Sequence, residues 1–274
     1  MTTVRPQTHP GHALFARYAF PPNELGYCGP SGIAAVPDGD AVDLARYARE
    51  FDGAWPYLDT LAETAGRPDP LDEQIVRSYW VGGPLLAEVD GRVLHTTLRD
   101  AFRGQVTGLL GDVAPEDSLA HHSFHVFVVY PWVRFLDRDP STPLKILQDC
   151  RIRWGIVDAV DDDHAVVVSR PLTFHSGALG LAEAVPERVR WRRDGASLVS
   201  APMPGQTVSA HWGWICGTLT AAEAADLEVA TRATLTLVND ARLRRKHATQ
   251  VRDPGQPTVQ TVVRGAASDH EGES

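Results

Sequence analysis

The sequence predicts an α+β protein. A mainly helical domain spans 1–143, and a small antiparallel β-barrel with one trailing helix spans 144–245. A disordered tail follows over 246–274. Three observations predict this. Upstream of residue 143, apolar residues recur every three or four positions, the spacing of one helix face. Downstream the period becomes two, as in a half-buried strand. Thr220-Ala221-Ala222-Glu223 then matches a capping box, in which the threonine oxygen and the glutamate side chain each satisfy an orphan backbone N–H.

Taken in order, Met1 to Gly11 is polar and frayed. His12 to Phe20 forms a short helix, which Pro21 and Pro22 stop because proline has no N–H to donate. A turn-rich segment, GYCGPSG, carries Cys28. Residues 41–66 read as one helix or two, with Pro56 in a first turn where its missing N–H costs nothing. Asp72 to Val81 is a further helix that ends at Gly82-Gly83-Pro84, and His95 to Gly104 is another. His121 to Leu136 is the most apolar run of this half, interrupted by Pro131. Asp139 to Pro143 reads as a linker.

In the second half, Ile152, Trp154 and Ile156 alternate with Arg151, Arg153 and Gly155 to give a first strand. Ala165 to Ser169 is a short β-branched strand. Asp194-Gly195 marks a tight hairpin, since both residues tolerate positive φ. Thr207 to Trp214 is a later strand. The capped helix follows, with its stripe through Leu227, Ala230, Ala233, Thr234, Leu237 and Val238. Several short strands at such spacing suggest the barrel.

Composition excludes several classes. A net charge of -9 argues against binding nucleic acid through a general basic surface. Three cysteines are too few, and odd in number, for a disulfide scaffold, so free thiols in a reducing cytoplasm are expected. No uncharged apolar stretch approaches a membrane span, and no charged-then-apolar signal opens the chain. No glycine-rich phosphate loop follows a strand. The 23 glycines and 20 prolines disfavour a coiled coil or helical solenoid.

Three groups of residues can carry chemistry. Cys150 lies just before the first strand, and His211 lies in a later one, flanked by Trp212 and Gly213. A thiolate and an imidazole both suit iron and related ions. Arg151 and Arg153 lie close enough in sequence to lower the cysteine pKa. Cys216, at the strand–helix junction, reads as packing. In the first half, glycines around Cys28 permit close approach to its backbone, as a reactive or docking thiol needs; a thiol that merely fills a turn fits the same residues. His121, His122 and His125 form an HHxxH pattern in which 121/125 and 122/125 share a helix face, as metal pairs can. The same pattern fits a polar helix entry, and the HExxH pattern of zinc proteases is absent.

The order of the pieces in the second half resembles the hydrogenase maturation chaperones of the HypC/HybG/HupF family. Cys150, Gly155 and Val157 keep that family's offsets, and Ala165 to Val168 looks like its second strand. Gly205, Val208, His211, Gly213 and Trp214 look like its turn, strand and HxGF segment, and Glu223-Ala224 like the start of its helix. The resemblance covers about 145–240. It implies a HypC-like, OB-like barrel with Cys150 as thiolate ligand and His211 as a neighbouring imidazole. It also implies a transient iron cofactor bearing cyanide and carbonyl ligands. The implied partners are a HypD-like maturation protein and the precursor of the [NiFe]-hydrogenase large subunit. The whole chain then looks like an accessory protein of hydrogenase gene clusters, a chaperone rather than an enzyme. Three departures stand out. Cys150 is internal and has no free α-amino group beside it, Trp154 replaces a family proline, and the Cys150–His211 spacing is longer. Two other functions fit the residues: an adaptor using the barrel only to grip a protein, or an enzyme with Cys28 as nucleophile or the 121/122/125 histidines holding a metal.

Overall fold

Helix α1 (Pro10–Glu24) lies at the centre of the architecture, with buried side chains all around it. The structure, a computed structural model, describes residues 10–30 and 41–252. The expected frayed start falls almost wholly outside them, as does the tail beyond Arg252. After α1 come α2 (Ala41–Arg49), α3 (Trp55–Thr64), α4 (Glu73–Trp80) and α5 (Gly91–Ala101). The expected helices thus form, and Asp72 and Asp90 cap two of them by accepting from backbone N–H groups one turn in. The apolar run from His121 breaks into three short pieces. These are α6 (His122–Phe124), a π-helical turn (His125–Val129) and a 3-10 turn (Pro131–Phe135).

Two expectations fail in informative ways. α1 does not stop at Phe20: it carries Pro21 and Pro22 in its last turn. Prolines there remove N–H donors without preventing helical dihedrals, so they free carbonyls one turn back instead of ending the helix. The segment expected as a linker opens α7 (Ser141–Cys150), where Asp139 accepts from the backbone and hydroxyl of Ser141.

The strands are β1 (Arg153–Val160), β2 (His164–Ser169), β3 (Leu172–His175), β4 (Ala178–Leu181), β5 (Val185–Arg190), β6 (Arg192–Arg193), β7 (Ala196–Ser197), β8 (Thr207–His211) and β9 (Trp214–Thr218). The expected antiparallel barrel is not what forms. The sheet is mixed, in the order β1-β2-β5-β9-β8, with β8 back against β1. Four neighbouring pairs are antiparallel, but β5 and β9 run parallel and meet only at Arg190 and Trp214. The reason is parity: an odd number of strands cannot alternate direction around a ring, so one seam must be parallel. Here that seam is one pair long, supported by Arg190 N–H donating to the Gly213 carbonyl at 2.9 Å.

β3 and β4 form a separate hairpin in the stretch that lengthens the Cys150–His211 spacing. The β6–β7 hairpin turns at Asp194 and Gly195, both at positive φ as anticipated. Helix α8 (Ala221–Arg252) begins with the expected capping box: Glu223 N–H donates to Thr220 Oγ1, and Thr220 N–H donates to the Glu223 carboxylate. It continues past residue 246, where a disordered tail was expected.

A small apolar cluster fills the sheet interior, with Val157, Val167, Val189 and Val208 among its members. The larger cluster joins residues of both halves, from Phe15 to Trp214 and Leu227. α1 is the link: Tyr18 Oη lies 2.7 Å from Ser209 Oγ on β8. Gly155 has a packing role of its own. A Cβ there would sit 2.4 Å from the Val168 carbonyl oxygen and 2.7 Å from Val167 Cγ1. Gly155→Ala must push β1 from β2, and a loss of about 2 kcal/mol or more is expected in urea unfolding at pH 7.5. An unchanged midpoint would show that the ladder yields freely.

Candidate metal centre

Cys150 and His211, distant in sequence, do converge, and His122 joins them. One ligand atom from each of the three lies within 4.8 Å of the others, and all three residues are buried. Each stands at the end of an element, where the chain turns and the side chain is free to point inward. His122 opens α6, Cys150 closes α7 and His211 closes β8. The strand expected to run on to Trp214 breaks at Trp212, whose φ of 50° is unusual for a bulky residue. Trp212 is pinned there. Its N–H donates to the Asp149 carbonyl at 2.8 Å, and its carbonyl accepts from Arg153 Nη2 at 2.6 Å. The same hairpin therefore ties β8 to the end of α7 and sets His211 beside Cys150.

The prolines of α1 complete the placement. Pro22 has no N–H to give the Tyr18 carbonyl, and His211 Nδ1 fills that vacancy at 2.6 Å. A carbonyl only accepts, so Nδ1 carries the proton and Nε2 of the neutral ring holds a bare lone pair. Among the described residues, the buried Nε2 of His211 has no hydrogen-bond partner. A metal ligand of this kind usually donates its other N–H to a carbonyl or carboxylate, as here. His122 lies 3.1 Å by Nδ1 from Tyr79 Oη and 3.0 Å by Nε2 from the Cys150 carbonyl. By the same rule Nε2 of His122 carries the proton against the Cys150 carbonyl, and its Nδ1 accepts from the Tyr79 hydroxyl, which can also accept if the proton moves to Nδ1.

Burial dominates the electrostatics. It drives His122 well below the ordinary imidazole range, with His211 and His125 adding to the effect, and lowers His211 to about 4. Both rings are neutral at pH 7, the form that binds metals. Burial also pushes the Cys150 thiol well above its usual value, and Cys28 and Asp149 add to this. The expected activation by Arg151 and Arg153 does not occur. Arg151 donates to the Arg170 carbonyl and Gln148, and Arg153 to Trp212 and Glu187.

The three residues open onto a cavity of about 440 Å³, whose lining includes Cys28, His125 and Tyr130. Cys28 is half-buried, outside the ligand triad, and burial raises its thiol to about 11. That direction is opposite to what an activated nucleophile needs. The three histidines of the HHxxH pattern do not share one site. His121 turns away, its Nδ1 accepting from Ser123 N–H. His125 lines the cavity 6.2 Å, ring to ring, from His122. Cys216 packs, fully buried, with its thiol raised to about 12 by that burial.

A sulfur and two nitrogens can coordinate a metal ion. Sequence reasoning found Cys150 and His211 and had His122 among its candidates, but in the wrong set. It missed Tyr18 and Tyr79, because partners that lie 193 and 43 residues away leave no local signal.

The comparisons with known proteins do not support the hydrogenase vocabulary of the resemblance, and the mixed sheet removes the antiparallel barrel on which it leaned. No curated protein and no solved structure matches the chain. No helix among the described residues is long and apolar enough to cross a membrane. A family model matches residues 7–246, and the chain thus belongs to the family of unknown function DUF6390.

Proposed function

We propose that this is a metalloprotein that binds one late first-row transition ion through His122, Cys150 and His211 and offers the ion's remaining position to the cavity. The observation that carries this is the bare, buried Nε2 of His211 beside a buried thiol and a second imidazole. Leaving such a nitrogen unpaired costs about 1–3 kcal/mol, which a ligand would recover. Two nitrogens and one sulfur suit Zn²⁺, Co²⁺ or Fe²⁺ better than Mg²⁺ or Ca²⁺. Closed structural sites have four protein ligands, whereas three plus an open position is the pattern of centres that bind exchangeable ligands. Iron remains within this donor chemistry, and a cyanide- and carbonyl-bearing cargo is not required by it.

The test is anaerobic metal analysis followed by Co²⁺ titration. Wild-type protein is expected to take up one equivalent, with a near-ultraviolet sulfur-to-cobalt band. Cys150→Ser is expected to lose that band, and His211→Gln to lose affinity by about 100-fold or more, beyond the range of most outer-shell changes. Circular dichroism of both variants separates lost binding from lost folding. A folded wild-type protein that takes up no Co²⁺, Zn²⁺ or Fe²⁺ would overturn the proposal.

A further inference from the structure

Beside the triad sits a histidine with nothing to do. Neither ring nitrogen of His125 makes a hydrogen bond to any described residue, and its Nδ1 is fully buried. Its neighbours are aromatic faces: Tyr57 at 5.8 Å, Phe102 at 5.7 Å and Tyr130 at 6.0 Å between ring centres. None of them satisfies an imidazole nitrogen in these positions. Buried polar groups are almost always paired, so an imidazole with both nitrogens unpaired in a cavity wall marks a place for a ligand, and Nε2, on the side of Gly53, is the nitrogen that a molecule in the cavity meets.

The backbone makes the same point independently. His125 is the first residue of the π-helical turn, closed by Tyr130 N–H donating to the His125 carbonyl at 2.7 Å. Such turns are rare and are frequently found at functional sites. Across from it, Gly53 has no side chain; a Cβ there would come within 3.1 Å of His125 Nε2. Glycine therefore keeps the space over that nitrogen clear.

We propose that the cavity binds a small neutral molecule, with an apolar body and one metal-ligating polar head, and that His125 is the hydrogen-bonding partner of that head. The inference rests on the metal-binding reading above. The volume, about 440 Å³, lies in the range of small-molecule sites. Phe51, Phe102 and Val129 supply apolar walls. Glu50 and Asp52 are exposed at the rim, and no lysine or arginine among the described residues lines the cavity. An anion would meet repulsion at the entrance, which favours a neutral molecule. Because His122 and His125 are 6.2 Å apart, one head group can reach both the ion and His125.

The experiment uses Co²⁺-loaded full-length protein and 4-methylpyrazole, a neutral probe with one ligating nitrogen and an adjacent N–H. The visible cobalt bands are expected to shift on saturation. His125→Phe is expected to weaken the probe about tenfold, the worth of one good hydrogen bond, while leaving Co²⁺ affinity unchanged. His125→Gln restores a polar partner and is expected to recover part of the loss. 1,4-Dimethylpyrazole lacks the N–H and is expected to bind wild type and His125→Phe alike. Equal 4-methylpyrazole affinity in wild type and His125→Phe overturns the inference and leaves the metal reading standing. So does a cobalt spectrum that does not respond to the probe. Loss of Co²⁺ from a folded His125→Phe also overturns it, by making His125 part of the metal site. A folded wild-type protein that takes up none of Co²⁺, Zn²⁺ and Fe²⁺ defeats both readings.

Discussion

Acidification from pH 6.5 to 5.5 is expected to remove several kcal/mol from the unfolding free energy of the metal-free protein. Four histidines are responsible. Burial lowers His121 to about 3, His125 and His211 to about 4, and His122 well below the imidazole range. In the unfolded chain each returns to about 6.5. Below that value the unfolded state binds protons that the native state refuses, so stability falls as pH falls. The stability is whole above about pH 7.5, begins to fall as the unfolded chain titrates near 6.5, and drains away down to about pH 4, through the native values. Each histidine contributes a limiting slope of about 1.4 kcal/mol per pH unit, so together they approach 5 kcal/mol per unit near pH 5.5. That is comparable with the whole stability of an ordinary domain, about 5–15 kcal/mol. Urea unfolding followed by circular dichroism at pH 7.5, 6.5 and 5.5 measures it directly. The midpoint should begin to slip between 7.5 and 6.5, where the four rings together cost about 1–2 kcal/mol, and drop about threefold more steeply from 6.5 to 5.5. A midpoint that is flat down to pH 5.5 would mean that the rings already protonate in the native state, and the dry centre described above would be wrong.

The same burial explains what the sequence could and could not reveal. Local signals were legible. The Thr220–Glu223 box, the Asp194-Gly195 turn and the β-branched strand at Ala165 to Ser169 each depend on residues within a few positions of one another, and all three formed as read. Pro21 and Pro22 were read by the usual rule and misled, because their effect here is exercised on His211 and not on the helix itself. The all-antiparallel pairing failed for a reason that no window of sequence holds. Strand direction around a ring is a global count, and five is odd. At the site, the pairing of Cys150 with His211 came from the order of the motif pieces in the resemblance, and the structure brings the two together because α7 ends and β8 ends at the same place. His122 was not placed with them because its approach depends on packing between α6, α7 and the sheet. Its neighbour His121, identical in type, faces elsewhere. The HHxxH spacing pointed to a shared helix face, but the short α6 and the π-helical turn give each of the three rings a different task.

Metal uptake at pH 6 is expected to release one proton per ion, and the apparent affinity is expected to rise about tenfold per pH unit between 5 and 8. An ordinary exposed site with two imidazoles and a thiol would release more than two protons at pH 6, because histidines near 6.5 are then largely protonated. Here His211 and His122 are already neutral, so neither has a proton to lose. If His122 binds through Nε2, its proton moves to Nδ1 and is held against Tyr79 Oη, an internal shift with no net release. Only Cys150 remains, a protonated thiol whose burial makes the free thiolate costly. A divalent cation offsets that cost, because a thiolate beside it in a water-poor site is attracted far more strongly than in bulk water. Calorimetric titration with Zn²⁺ in two buffers of different ionisation enthalpy gives the proton count. A release of two or more at pH 6 would place titrating histidines in the native site, whereas a release of none would remove Cys150 from the ligand set.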